Sequence, residues 1–420
     1  MKTPKYLIQM LHTQVFSLVQ IVLGFVLLSF LVSGLSVEDY AQYVLIQGFM
    51  AVFLLLFSMN LYTYTRLHIP GASIERQYGY LKTVIVIVLG AYATTASILY
   101  ASNSAEYVLG LFSISPELTL LVVAMVGLEL VILEILRFFI AIKLISVKNY
   151  AATLQKVLVS GGCLYLISIN NISVERFLGC FIFTQLIVLG YLLANLNLKR
   201  LMLSNLLFDV FKHGFKVGIP LLPIGLISVS MNYMDTLMIG RFIGQAEVAN
   251  YGLASQIVNI AMMMIGTSVV LTLFPYATEA HNKGLFKERN SFFNKMTFYG
   301  ILLSVIFFLL APNSSTLVIS YFELSQYESV SHILGVLAIF PLFGVLYTVS
   351  SHRLQLLNHF SVQVYLAFSV IVLNFVLNFY AIRVYGVIGA AYASLCSYII
   401  LSLMFFIVAF KISSSVSSRD

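Results

Sequence analysis

Five ionisable residues stand inside runs of otherwise apolar sequence: Glu129, Glu134, Arg137, Lys156 and Asp235. Charged groups at membrane depth are costly, so they face a cavity or a partner and mark functional positions. Glu129 falls near the middle of its run. Arg137 follows eight residues later, about 80° further round a helix, and Glu134 precedes Arg137 by three. Two readings stay open. Either the three neutralise one another and serve packing, or they form a polar face on which Glu129 titrates. Asp235 lies about 27 Å along its run by helix rise. It is either an interhelical hydrogen-bond acceptor or a second ion-coupling group.

A second set is cationic. Arg66 closes one run, Arg353 follows another, and Lys156 and Arg137 fall in the same half of the membrane. Guanidinium and ammonium groups bind phosphate oxygens by charge-assisted hydrogen bonds, so the four could capture an anionic headgroup. The plainer reading is snorkelling of long basic side chains toward the interface.

No nucleophile–base pair, metal motif or phosphate loop is visible. Cys163, Cys180 and Cys396 show neither disulfide nor metal spacing and read as small packing residues. Most of the seven histidines sit in loops. The sequence therefore predicts no enzyme and no bound cofactor. A titrating Glu129 or Asp235 would allow coupling to a proton or sodium gradient.

The elements that must position these residues are transmembrane helices. The chain has 420 residues, 60% hydrophobic and 9% charged, with a mean hydropathy of +0.98. That leaves too few charges for a soluble shell. A helix crosses the hydrocarbon with about 20 apolar residues. Runs of that kind lie near 14–35, 40–62, 80–101, 117–139, 150–169, 177–196, 217–240, 249–274, 293–311, 330–351, 361–382 and 387–410. The first is too long for a signal-peptide core and reads as a retained helix. The alternation of a transmembrane barrel is absent. The expected class is an all-α polytopic membrane protein of about twelve helices.

Most of the 23 Lys and Arg fall in alternate loops, and the intervening loops hold only Arg176, Arg241 and Arg383. Those intervening loops are acidic, with Glu38, Asp39, Glu106, Glu117, Glu175, Glu247, Glu323 and Glu328. The positive-inside rule then puts both termini in the cytoplasm. The net charge of +7 is thus a membrane signature and predicts no nucleic-acid partner.

The halves repeat. Asp39-Tyr40-Ala41-Gln42-Tyr43 returns as Glu247-Val248-Ala249-Asn250-Tyr251, 208 residues later. Six runs separate the copies, so both have one orientation. This predicts two six-helix lobes, 1–205 and 206–420, related by a pseudo-twofold axis along the membrane normal. Lobes of that kind rock about a central cleft and give alternating access. Pro220, Pro223 and Pro341 fall within apolar runs and are hinge candidates, because proline removes a helix hydrogen bond. The 25 Tyr and absent Trp suit interfacial anchoring, or stacking on sugar rings.

Several segments carry a resemblance. These are Gly218-Ile219-Pro220-Leu221-Leu222-Pro223, Met234-Asp235-Thr236-Leu237-Met238-Ile239-Gly240, Glu247 to Tyr251, and Leu273-Phe274-Pro275. Leu373-Asn374-Phe375-Val376-Leu377-Asn378 and Tyr385-Gly386-Val387-Ile388-Gly389-Ala390-Ala391-Tyr392-Ala393 follow. In this order they resemble the multidrug/oligosaccharidyl-lipid/polysaccharide exporters, and within them the Wzx-type O-antigen flippases. Ala41 and Ala249 depart from that pattern, where Gly commonly precedes the Tyr. The resemblance implies an undecaprenyl-pyrophosphate-linked oligosaccharide moved from the cytoplasmic to the periplasmic leaflet of a bacterial inner membrane. It also implies a cation-driven cycle, with membrane lipids and other polysaccharide-assembly membrane proteins as partners. A multidrug exporter would be expected to put carboxylates rather than bases in its cleft. A polysaccharide polymerase would be expected to carry a large periplasmic loop, and every loop here is short.

Overall fold

The computed structural model describes residues 5–61, 69, 72–142, 144–219, 222–321, 327 and 329–417. Among these residues the regular structure is helical and there is no strand. By contacts the chain divides into two compact units, Met1–Leu226 and Ile227–Asp420. That division lies beyond the 205/206 boundary suggested by the repeat. Arg76 pairs with Asp209 at 2.8 Å, and the Leu207 amide donates to Thr83 Oγ1 at 2.9 Å. The segment after residue 205 is thereby tied to the first unit.

In that unit α1 (Lys5–Gly34), α2 (Val37–Ser58), α3 (Ile74–Ala101), α5 (Thr119–Ala141), α6 (Ile145–Ser168) and α7 (Val174–Ala194) are the long apolar helices. A short α4 (Ala105–Leu111) fills the connection between α3 and α5. Helix starts follow local chemistry. Ser36, Ser73 and Ser173 cap α2, α3 and α7, and Glu38, Asp39, Glu75 and Glu175 occupy the first turns. Each hydroxyl satisfies an orphan amide, and each carboxylate meets the positive end of the helix dipole. Helix α1 packs on α6, and α5 packs on both α3 and α7. Two short helices follow, α8 (Leu198–Leu203) and α9 (Phe208–Gly218). Helix α9 is amphipathic: Lys212, His213 and Lys216 are exposed while Val210 and Gly214 are buried, the pattern of a helix lying in the membrane interface.

The boundary between the units falls within α10 (Leu222–Val229); the second unit goes on with a π-helical turn at Ser230–Met234 and α11 (Asp235–Phe242). Then come α12 (Gln245–Ile265), a second π turn at Gly266–Val270, and α13 (Leu271–Asn282). Helices α14 (Phe286–Tyr321), α15 (Val330–Leu337), α16 (Phe340–Leu356) and α17 (Phe360–Ser417) complete it. Ile265, Val269, Phe293, Met296, Val345 and Val349 form a dry core between α12, its π turn, α14 and α16.

Helix α17 doubles back at Gly386, whose φ is 65°. In a straight helix Asn378 and Ser394 would stand about 24 Å apart. Their side chains are 3.3 Å apart, so the two halves lie antiparallel. The ten candidate membrane spans among the described residues include Phe360–Ser413 as one of 54 residues. That length is about 81 Å of helix against a core of about 30 Å, so it holds two crossings. The run α10–π–α11 is interrupted and lies outside those ten. Counting both, the described residues give twelve crossings, six in each unit.

The repeated segments begin equivalent helices, α2 and α12. Asp39 and Glu247 lie in the first turns. Ala41 and Ala249 are completely buried, and Tyr43 and Tyr251 point into their own units at 6% and 2% exposure.

Candidate functional site

Asp235 opens α11 directly after the π turn and is 2% exposed. Its carboxylate accepts from the hydroxyls of Tyr251 and Ser394, and from Asn378 Nδ2 at 2.9 Å. Asn374 Nδ2 reaches Ser394 Oγ at 3.2 Å, and Ser230 Oγ donates to Asn374 Oδ1 at 3.3 Å. The reversal at Gly386 sets Asn378 opposite Ser394, and α12 delivers Tyr251. Asn374, Asn378 and Ser394 are completely buried.

Every donor to Asp235 is neutral, and among the described residues no cation pairs with it. Asn378 Oδ1 is buried without a partner. The centre therefore combines one carboxylate with amide and hydroxyl oxygens and no nitrogen or sulfur ligand. Such a set suits a proton or a hard cation held by oxygens, and not a transition metal. Among the described residues no group of three His, Cys, Asp or Glu could hold a metal.

Glu129 sits at a second polar centre, in the first unit. Gln185 Nε2 from α7 donates to Glu129 Oε2 at 2.7 Å, and Gln155 from α6 lies near it. Of the two readings of Glu129, Glu134 and Arg137, the mutual cluster is met only by the last two: Arg137 pairs with Glu134, which is 3% exposed, while Gln185 bonds to Glu129. Spacing explains the pairing. Three residues put Glu134 and Arg137 on adjoining turns, whereas eight residues separate Glu129 from Arg137 by about 12 Å of rise.

The cationic set separates. Arg66 lies outside the described residues, as does Pro220. Arg137 is neutralised by Glu134. Lys156 is half-buried on α6, next to Gln155, and no described residue pairs with it. Arg353 is on α16 in the second unit and lines a groove of that unit. Pro223 is in the first turn of α10. Pro341 is in the first turn of α16, after a break at Ala338–Ile339. There proline costs no helix hydrogen bond.

The residues missing from the sequence reading of both sites are neutral: Gln155, Gln185, Ser230, Tyr251, Asn374, Asn378 and Ser394. The available signal was the i,i+4 spacing of Asn374 and Asn378 on one face of an apolar run.

Two family models match the chain, one described as MatE over residues 220–380 and one described as Polysaccharide biosynthesis protein over residues 140–285. An inward-facing multidrug resistance MATE family transporter of the MOP superfamily superposes with a TM-score of 0.70. The identity is 14%, covering 96% of this chain and 99% of that one. The chain shares the fold of that transporter. A second structure, the lipid II flippase MurJ in an inward closed conformation, gives a TM-score of 0.74 at 16% identity. It covers 96% of this chain and 87% of that one. At these identities the likeness is one of fold.

Two curated relatives match in part. The uncharacterized membrane protein MJ1375 of Methanocaldococcus jannaschii is 27% identical over 205 residues, 47% of this chain and 45% of its own length. The probable low-salt glycan biosynthesis flippase Agl15 of Haloferax volcanii is 26% identical over 189 residues, 45% of this chain and 39% of its own length. The matched stretch thus spans less than half of either relative.

Proposed function

We propose that this protein is a flippase of the MOP superfamily for a lipid-linked anionic glycan, driven by a cation that loads at Asp235. The carrying observation is Asp235 itself: a carboxylate 2% exposed, met only by neutral donors among the described residues. An unpaired buried charge is untenable, so the group takes up a proton or a hard cation during part of its cycle. That is the requirement for a secondary transporter coupled to a proton or sodium gradient.

The substrate class rests on weaker, concordant support. One matching family model describes polysaccharide biosynthesis proteins, and one relative is a probable glycan flippase. Lys156 offers an ammonium group without a described partner in the first unit. With the basic loops cytoplasmic by the positive-inside rule, Lys156 lies toward the leaflet where an undecaprenyl-pyrophosphate oligosaccharide is made. The direction proposed is cytoplasmic to periplasmic leaflet of a bacterial inner membrane, for O-antigen or a related surface polysaccharide.

A second reading, a multidrug/cation antiporter, has its own observation. A cavity of about 530 Å³ in the first unit is lined by Phe49, Phe53, Phe57 and Tyr92, with Glu106 and Glu117 at its rim. Aromatic faces and carboxylates attract organic cations. The polymerase reading has no comparable feature.

A deletion strain complemented with the wild-type chain separates these. Loss of surface polysaccharide, restored by the wild type and not by Asp235→Asn, supports the flippase. Unchanged polysaccharide with increased sensitivity to cationic drugs supports the antiporter and overturns it.

A further inference from the structure

The second unit carries an amphiphilic groove that the transport reading does not use. It has a volume of about 590 Å³ and lies between α14, α16 and α17. Along α14 it follows Asn290, Asn294, Thr297, Phe298 and Ile301, a single helical face. On α17 it follows Phe406, Ala409, Phe410 and Ser413, with the same spacing. Arg353 and Ser350 of α16 form part of its floor.

The lining is ordered by polarity. The start of α14, the end of α16 and the end of α17 come together, so Asn290, Arg353 and Ser413 share one end. Phe298, Ile301 and Phe406 line the other. From Asn290 to Ile301 the groove runs about 16 Å by helix rise, close to half of the hydrocarbon thickness. Its apolar wall faces outward: Phe298 is 64% exposed and Phe410 59%.

The polar end is positively charged. Arg353 stacks on Phe293 with its guanidinium carbon 4.9 Å from the ring centre. Its Nε is buried without a partner, and among the described residues no carboxylate pairs with it. Arg289 is near enough for its charge to act on Arg353. A second cavity of about 530 Å³ shares Asn290, Asn294 and Phe298 and adds Lys287 and Lys295. Glu288 is the acidic residue of the first turn of α14. A guanidinium with a buried donor left over, and a second one whose charge reaches it, call for an anion.

We propose that this groove binds one anionic glycerophospholipid of the membrane, its phosphate against Arg353, Asn290 and Asn294 and one acyl chain along Phe298, Ile301 and Phe406. Charge complementarity selects the headgroup, and the length fits one leaflet. The site is independent of Asp235 and does not rest on the flippase reading.

The chain contains no Trp, so Phe406→Trp introduces a single tryptophan into the groove, excited selectively at the red edge where the Tyr residues do not absorb. The variant full-length protein is reconstituted in phosphatidylcholine vesicles containing either dibrominated phosphatidylglycerol or dibrominated phosphatidylcholine. Quenching by the brominated phosphatidylglycerol should be about fivefold more effective, the ratio given by about 1 kcal/mol from one basic residue. Unlabelled phosphatidylglycerol should relieve it, Arg353→Ala should remove the preference, and Arg353→Lys should keep part of it. A control reporter, Phe183→Trp in the first unit, should show no preference. Equal quenching by both lipids in the Phe406→Trp protein overturns the proposal without needing an Arg353 variant to fold. So does relief by unlabelled undecaprenyl phosphate but not by phosphatidylglycerol, which would give the groove to an isoprenoid.

Discussion

Asn378 donates to Asp235 at 2.9 Å across 143 residues of chain. The pair ties α11 to the first half of α17, and Ser394 from the second half of α17 and Tyr251 from α12 close the cluster. Asp235→Ala leaves the hydroxyls of Tyr251 and Ser394 buried without their acceptor, at about 1–3 kcal/mol each, while Asn378 Nδ2 keeps the Asn374 carbonyl at 3.1 Å. A drop in detergent thermal stability is expected, larger than for Asp235→Asn. Asp235→Asn should insert and fold, and transport into vesicles should lose its dependence on the imposed proton or sodium gradient. Gradient-dependent transport by Asp235→Asn would assign the residue to packing.

Glu134 and Arg137 should behave as a unit. Removing one partner of a buried pair strands the other charge and costs about 3–5 kcal/mol. Glu134→Gln is therefore strongly destabilising. Glu134→Gln combined with Arg137→Met should recover most of the loss in thermal unfolding. Additive losses in the double variant would show that the two residues do not depend on each other.

Glu129 gives a functional prediction. Glutamine at this position still offers an acceptor to Gln185 but cannot gain or lose a proton. Glu129→Gln should retain the fold, within about 1 kcal/mol, because neutral hydrogen bonds exchange at that scale. Its transport should vary less with pH than that of the wild type. A superimposable pH profile would make Glu129 structural.

Gly386 is a backbone prediction. A Cβ there meets no atom within 4 Å, so any cost comes from φ alone. Gly386→Ala should destabilise by about 1–3 kcal/mol through strain at the reversal of α17. A melting temperature equal to wild type would mean that the turn relaxes to another conformation.

Orientation is testable independently. Reporter fusions at Ser414 should read as cytoplasmic and at Glu106 as periplasmic. The opposite pattern at either site would invert the proposed direction of transport.

The crossings were legible because apolar length and loop charge are properties of contiguous sequence. So were Asp235 and Glu129, which stand out as charges among apolar residues. Their partners were not. Gln185 is 56 residues from Glu129 and Ser394 is 159 from Asp235, and neither is unusual in a membrane helix. Only the reversal at Gly386 turns Asn378 and Ser394 into neighbours. The Glu134–Arg137 pair followed from local spacing, while the division of the chain at Leu226 depended on long-range contacts of Asp209 and Leu207. The π turn before Asp235 had no local signal.

That turn, Ser230–Met234, stores one spare residue in the helix. If the loop of the π turn tightened to ordinary α geometry, everything on one side of it would screw round by about 100°, one residue's rotation. Asp235 is the next residue. A single step of slack, taken up or let out, would carry its carboxylate into or out of the ring formed by Tyr251, Asn378 and Ser394, while the far end of α11 hardly travelled. The helix is built like a key beside its lock, with the backlash of one residue between them.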